Sequence, residues 1–386
     1  MIISKNIIFE EFNSKAKSNT LTKYLKKMIN ENNEILKSFR ITYKDKFNKK
    51  LISKLKKIKK ICIIGMGGSI LGSKAIHSFL FEKIKKDFFF IDNLNFRINK
   101  KILKEKKINL IISKSGNTLE TISNSNIILN KKDKNIFIVE NKNNYLLKLA
   151  NKLKAEIVHH NNYIGGRYSV LSEVGMLPSA LMGLEINKFR KFNNLIKNKR
   201  FLNSIVKNVA NQLELIKKKK NNSVILNYDE KSTDLFNWYQ QLMAESLGKN
   251  NTGILPIISC MPKDNHSLMQ FYLDGPKNYF FTFFMVKEKY SQKLSNKNIL
   301  NSHDYLKNKS LKDILFSQFT ATQKVFKKKK IPYRTFVINN RSEEALGELF
   351  TFFILEVILL GKFMKNNPFD QPAVELIKKE TNKLLI

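Results

Sequence analysis

The sequence predicts an α/β protein of two parallel-sheet units, and three observations carry that reading. Short continuous apolar runs recur along the chain: Ile61-Cys62-Ile63-Ile64, Phe88-Phe89-Phe90-Ile91, Leu110-Ile111-Ile112 and Ile136-Phe137-Ile138-Val139. Runs of that length suit strands covered on both faces, as in a parallel sheet between helices. The alternation with helical patterns restarts after a polar, Lys/Asn-rich stretch near 186–222. Its second set is Val224-Ile225-Leu226, Ile254 to Ser259, Phe280 to Val286 and Thr335-Phe336-Val337-Ile338. Two α/β units are the economical solution.

Taken in order, residues 1–50 read as an N-terminal helical wrapper with little strand content. Residues 51–195 form the first unit and 196–365 the second, with a joint near 190–200. Residues 366–386 form a C-terminal helical segment set off by Asn366-Asn367-Pro368. Leu349 to Leu360 is too short to span a bilayer and carries Glu356, so it reads as a buried helix. Met1 to Asn6 lacks the apolar core of a secretory signal.

The formal net charge is +38, which makes nucleic acid the first partner to consider. Its distribution argues otherwise. Runs such as Lys56-Lys57-Ile58-Lys59-Lys60 and Lys217-Lys218-Lys219-Lys220 lie among abundant Asn and Ile, as when a biased composition fills permissive surface positions. The resulting field attracts anionic metabolites without identifying them. Cys62 and Cys260 each sit in an apolar run without metal spacing and read as core residues of a reducing compartment.

Chemistry concentrates in six segments. Ser113-Lys114-Ser115-Gly116-Asn117-Thr118 lies between a strand pattern and the helical pattern Leu119 to Leu129. Hydroxyls, a glycine and backbone N–H groups at a helix start make an anion cradle. Gly65-Met66-Gly67-Gly68-Ser69 follows the first strand, where a ligand can approach the backbone closely. With Asp92 after the next strand it also fits a dinucleotide loop. Gly165-Gly166-Arg167-Tyr168-Ser169 offers a permanent cation that can steady a developing anion. Glu245, in Met243-Ala244-Glu245-Ser246-Leu247-Gly248-Lys249, nears a helix end whose dipole disfavours a carboxylate, which suits a general base. His266, in the polar loop Lys263 to Ser267, is a proton-transfer candidate. Phe369 to Lys378 starts the last helix, with Gln371 and Lys378 on one face if both are helical. His159 and His160 read as structural or solvated.

Together and in this order, GMGGS, SKSGNTLET, GGRYS, AESLGK, DNHS and FDQPAVELIK resemble the glucose-6-phosphate isomerase (phosphoglucose isomerase) family over residues 55–380. The resemblance implies two sugar-isomerase (SIS) domains, each a parallel sheet flanked by helices, in a homodimeric, cytoplasmic glycolytic enzyme. It implies that Ser69, Ser113, Lys114, Ser115 and Thr118 hold the phosphate of glucose 6-phosphate or fructose 6-phosphate. Glu245 then moves a proton between C1 and C2 through a cis-enediol, and Arg167 stabilises the enediolate. His266, reaching across from the other subunit, and Lys378 assist ring opening, while Gln371 contacts substrate. Such chemistry needs no metal or cofactor, nucleic acid or membrane.

Glu173, Ala373 and Ile377 depart from the family pattern. The first puts local packing in question, and the other two put the last helix and Lys378 in question. The rival readings are a dual phosphoglucose/phosphomannose isomerase, the isomerase half of an amidotransferase, and a non-catalytic sugar-phosphate-binding SIS protein. The second would need a cysteine nucleophile near the N-terminus, where Ile2 stands. The third should lack the base, yet Glu245, His266 and Lys378 are present.

Overall fold

A computed structural model describes residues 1–12, 18–31, 33–95, 105–130 and 132–386. Strand β1 (Ile7–Glu10) comes first, then β2 (Lys60–Gly65), β3 (Asp87–Ile91), β4 (Ile108–Ile112), β5 (Lys134–Val139) and β6 (Glu156–His159). The second half supplies β7 (Asn222–Asn227), β8 (Leu255–Cys260), β9 (Tyr279–Val286) and β10 (Tyr333–Ile338). Two five-stranded sheets result, ordered β3-β2-β4-β5-β6 and β1-β10-β9-β7-β8. Every pairing is parallel except β1 on β10.

The apolar runs are continuous because each sheet feeds a core on both faces. Along β2, Ile61 and Ile63 enter one cluster while Cys62 and Ile64 enter another. Leu110 and Ile112 oppose Ile111 in the same way, and Val224 and Leu226 oppose Ile225. Such two-sided burial follows from the period-2 side-chain alternation of a strand.

Six helices build the surroundings of the site: α1 (Leu71–Phe79), α2 (Leu119–Ile128), α3 (Lys199–Lys217), α4 (Thr233–Leu247), α5 (Glu343–Phe363) and α6 (Val374–Leu385). About half of the polar, Lys/Asn-rich stretch near 186–222 becomes α3, whose Phe201, Ile205 and Val209 are buried and which packs on α5. Its lysines mask an apolar stripe of helical period. The apolar segment around Leu349 lies inside α5 and is buried, with Glu356 bound to Arg334, Asn208, Gln212 and Tyr239. No helix among the described residues is long and apolar enough to cross a membrane.

The N-terminal segment departs from a purely helical wrapper. Its strand β1 closes the edge of the second sheet, in register from Ile7 opposite Ile338 to Glu10 opposite Thr335. Four residues are too few to show a strand period, and the pairing is set by the apolar β10 beside it. Helix α6 begins at Val374, so Gln371 lies outside it and shares no helical face with Lys378. A proline disfavours helical backbone at the residue before it, which suits the non-helical Gln371 ahead of Pro372.

Candidate active site

In the first sheet the chain passes from β2 to β3 on one side and returns to β4 on the other. The crevice outside the carboxyl ends of β2 and β4 is therefore a topological switch point, where open α/β sheets bind ligands. Both loops singled out in the sequence open there: Met66–Ser69 follows β2 and Ser113–Thr118 follows β4.

The second loop is built as an anion cradle. Ser113 is buried, and its Oγ lies 2.9 Å from Thr118 Oγ1 and accepts from Gly116 N at 3.2 Å. Thr118 is the N-cap of α2, yet its hydroxyl turns to Ser113 and makes no capping bond. The first-turn amides of α2 thus keep no side-chain cap, and they are the donors an anion at a helix N-terminus uses. Gly116 has φ +65°, and a Cβ there would lie 1.8 Å from Asn144 Oδ1. Ser115 Oγ accepts from Asn117 N, while Lys114 Nζ pairs with Glu140 at 3.4 Å.

The first loop is a meeting of backbones. A Cβ on Gly68 would lie 2.2 Å from Gly166 C and 2.4 Å from Arg167 N. Only glycine lets the Gly165–Ser169 turn approach this closely, and that contact sets Arg167 beside the crevice. Asp92, the acidic residue a dinucleotide loop would require, is bound by Lys74 at 2.7 Å.

Helix α4 brings in the third part. Although it belongs to the second half of the chain, it packs on α1 of the first unit as well as on β8 and α5. Its last turn carries Glu245, whose Oε1 lies 3.3 Å from Arg167 Nη1. Arg167 is buried and otherwise fully committed: Nε donates to Ser246 Oγ at 2.8 Å and Nη1 to Gln371 Oε1 at 2.8 Å. Nη2 donates to the carbonyls of Pro368 at 2.7 Å and Asp370 at 3.0 Å. Tyr168 OH reaches both Ser246 Oγ and Pro368 O, and burial pushes its phenol above the usual range. A cleft of about 790 Å³ opens beside this cluster, lined by Glu245, Lys249, Asp370 and Gln371 among others.

The fold thus brings together Arg167, Glu245 and Gln371, and it places Ser69, Ser113, Lys114, Ser115 and Thr118 on the two loops of the crevice. Two further candidates form no hydrogen bond or ion pair with that cluster among the described residues. His266 is exposed on the turn after β8, and that turn is held by Asp264, which accepts from Cys260 N and Ser259 Oγ. Lys378 is exposed on α6 and pairs with Glu375 at 2.6 Å.

The family model described as "Phosphoglucose isomerase" matches residues 15–259. The chain belongs to the phosphoglucose isomerase family. The chain is 34% identical to the glucose-6-phosphate isomerase of Methanocaldococcus jannaschii, covering 83% of this chain and 82% of that one. It is 32% identical to that of Mycoplasmopsis pulmonis, covering 85% and 83%. In fold it resembles a hypothetical protein of Thermus thermophilus, with a TM-score of 0.81 at 23% identity over 95% and 94% of the chains. A glucose-6-phosphate isomerase of Chlamydia trachomatis gives 0.70 at 19% identity over 99% and 82%.

Within this phosphoglucose isomerase architecture, some residues around the crevice escaped the sequence reading. Gln241 lies one helical turn before Glu245, and its Oε1 is buried with no partner among the described residues while its Nε2 faces Gly67. The i, i+4 spacing from Glu245 was the signal that could have found it. Ser246 and Tyr168, which orient Arg167, stood inside quoted segments, but nothing in their spacing tells which guanidinium nitrogen they serve. Glu173, the departure that questioned local packing, is fully satisfied: it accepts from Asn161 N at 2.6 Å and Tyr43 OH at 3.0 Å and faces His160 Nδ1 at 3.2 Å. Burial alone would raise its carboxyl, but the His160 contact and the backbone bonds outweigh it and hold the group below its ordinary value.

Proposed function

We propose that this member of the phosphoglucose isomerase family interconverts glucose 6-phosphate and fructose 6-phosphate by ring opening and proton transfer through a cis-enediol. The observation that carries the reading is the contact between Arg167 and Glu245, at 3.3 Å beside the crevice. The 6-phosphate sits on the Ser113–Thr118 cradle, with Ser69 and the Lys114 backbone completing it. Glu245 takes the proton from C2 of the aldose and returns it to C1. The enediolate that forms between the two transfers carries its charge on oxygen, where Arg167 meets it. Four of the donor contacts of Arg167 are already made within the protein, so the cation needs no reorganisation as charge develops. Phosphate binding, remote from the reacting carbons, supplies the energy that fixes their orientation. Gln371 lines the cleft and is assigned to a sugar hydroxyl.

His266 is assigned to ring opening in the site of a second copy within a homodimer. Its exposure supports that assignment. Lys378 is assigned to ring opening as well, from a helix with no buried residue and thus free to be placed by substrate or partner. We place the reaction in the cytoplasm, in keeping with two unpaired cysteines, one of them buried.

The test is conversion of fructose 6-phosphate coupled to glucose 6-phosphate oxidation, with and without 6-phosphogluconate or an enediolate-mimicking hydroxamate. Turnover suppressed by both inhibitors is expected. Absence of both turnover and inhibitor binding overturns the reading. For the shared site, mixing Glu245→Gln with His266→Ala subunits should restore activity, because one hybrid site then holds both groups intact. No recovery on mixing overturns the assignment of His266 to a partner.

A further inference from the structure

The turn Asn367–Gln371 supplies three of the acceptors that hold Arg167, so what fixes this turn also fixes the cation. On one flank Asn366 is buried, donating Nδ2 to Leu247 O at 2.8 Å and to Thr252 Oγ1 at 3.0 Å. On the other stands Lys249, two residues past the last residue of α4. Its backbone is closed into a turn with Thr252, through Asn250 and Asn251 at φ +51° and +56°. Its ammonium donates to Asn367 O, to Asp370 O at 2.6 Å and to Asp370 Oδ1 at 2.6 Å. Three acceptors use all three of its protons. The side chain is 12% exposed, against 52% for its carboxylate partner.

Two of these contacts lead straight to Arg167. Asp370 O is shared between Lys249 Nζ and Arg167 Nη2, and the next residue, Gln371, receives Arg167 Nη1. The Asp370 carboxyl is held below its ordinary value first by the Lys249 hydrogen bond, and the Arg167 charge adds to the same effect. The carboxylate therefore lies within the field of both cations, and Lys249 is the one that binds it. Without Lys249, a second carboxylate would compete with Glu245 and the enediolate for Arg167.

We propose that Lys249 is a positioning residue of the isomerase site, neutralising Asp370 and pinning the Asn367–Gln371 turn so that Arg167 stays directed at the reacting carbons. This rests on the isomerase reading above. It differs from a merely structural tie because the harm done by losing Lys249 comes largely from Asp370, and can be removed with it.

The experiment measures kcat and KM for fructose 6-phosphate in Lys249→Met, Lys249→Arg, Asp370→Asn and the double variant Lys249→Met/Asp370→Asn. In Lys249→Met, kcat is expected to fall about 10- to 100-fold, the range set by misplacing a catalytic group by about 1 Å. KM should move less than kcat, because the phosphate cradle is a separate loop. Lys249→Arg should keep most of kcat, and Asp370→Asn should lose less than Lys249→Met. The double variant should recover much of the loss. A double variant as poor as Lys249→Met, or a loss confined to KM, overturns the proposal. If the wild-type protein shows no turnover, the isomerase reading has failed, and the pinning is judged without catalysis. Amide hydrogen exchange over residues 366–376 should then be faster in Lys249→Met while α4 is unchanged, and equal exchange in the two proteins overturns it.

Discussion

Arg167 Nη1 and Glu245 Oε1 lie 3.3 Å apart, although one residue follows the first sheet and the other ends a helix from the second half of the chain. Two independent devices create that distance. Gly68 admits the Arg167 backbone to within contact of the β2 loop, and α4 crosses from the second unit to pack on α1. The pairing joins a fixed cation to a partly exposed carboxylate, with Glu245 24% exposed and Arg167 3%. A base that must meet substrate needs that accessibility, while a cation that must not move needs the burial.

Replacing Glu245 by Gln keeps the shape of the site and removes the base. The expected result is a fall in kcat of about 10²- to 10⁴-fold, the usual contribution of a positioned general base. Binding of 6-phosphogluconate should change little, because the Ser113–Thr118 cradle is untouched. Near-normal turnover in Glu245→Gln would show that another group moves the proton.

Arg167→Lys keeps the charge but not the fork. One ammonium cannot serve Ser246 Oγ, Gln371 Oε1 and the carbonyls of Pro368 and Asp370 while also facing Glu245. Loss of about 100-fold in kcat is expected, in the range of removing one preorganised transition-state donor. The Asn367–Gln371 turn should loosen as well, read as faster amide exchange there. A lysine variant with wild-type kcat would mean that charge alone suffices.

Gly68→Ala places a methyl where Gly166 C would be 2.2 Å away. Backbone cannot rotate aside as a flexible side chain can, so the two loops must separate. A stability loss of about 1–3 kcal/mol or more is expected from such overpacking, together with a fall in kcat as Arg167 retreats. Thermal melts and steady-state kinetics check both. An alanine variant with unchanged melting and turnover would remove this contact from the account of how Arg167 is placed.

The parts legible in the sequence were those that local physics specifies. The two-sided strands announced themselves as apolar runs, and the serine-rich and glycine-rich loops as strand-to-helix turns with small residues. The missing parts depend on partners distant in sequence. Strand β1 exists because β10 offers it an edge, and α3 hides its stripe among lysines. Lys249 looked like one lysine among many, since nothing local says that its ammonium meets Asp370 more than a hundred residues later. Gln371 and Lys378 were spaced for a shared helical face, but the helix starts between them at Val374.

Glu348 offers a pH-dependent test of how the N-terminal segment is held. It lies on α5 and accepts from Ser4 Oγ at 2.6 Å and Asn6 Nδ2 at 3.0 Å, tying the start of β1 to the helix. Burial, the largest influence, pushes its carboxyl above the ordinary 4.5, and the two hydrogen bonds offset this only in part. In the unfolded chain the same group titrates at its ordinary value. Between the two values the folded protein holds a proton that the unfolded chain has released, so stability falls as pH rises through that window. Below it both states are protonated, and the full contribution is present. Glu348→Gln removes the titration while keeping a polar group for Ser4 and Asn6. Thermal melts of both proteins from about pH 4 upward should show the wild type losing stability relative to the variant as pH increases. Other carboxylates titrate there too, including Glu11, whose burial raises it as well. The difference between the two proteins therefore carries the result, and a difference independent of pH would place Glu348 at its ordinary value.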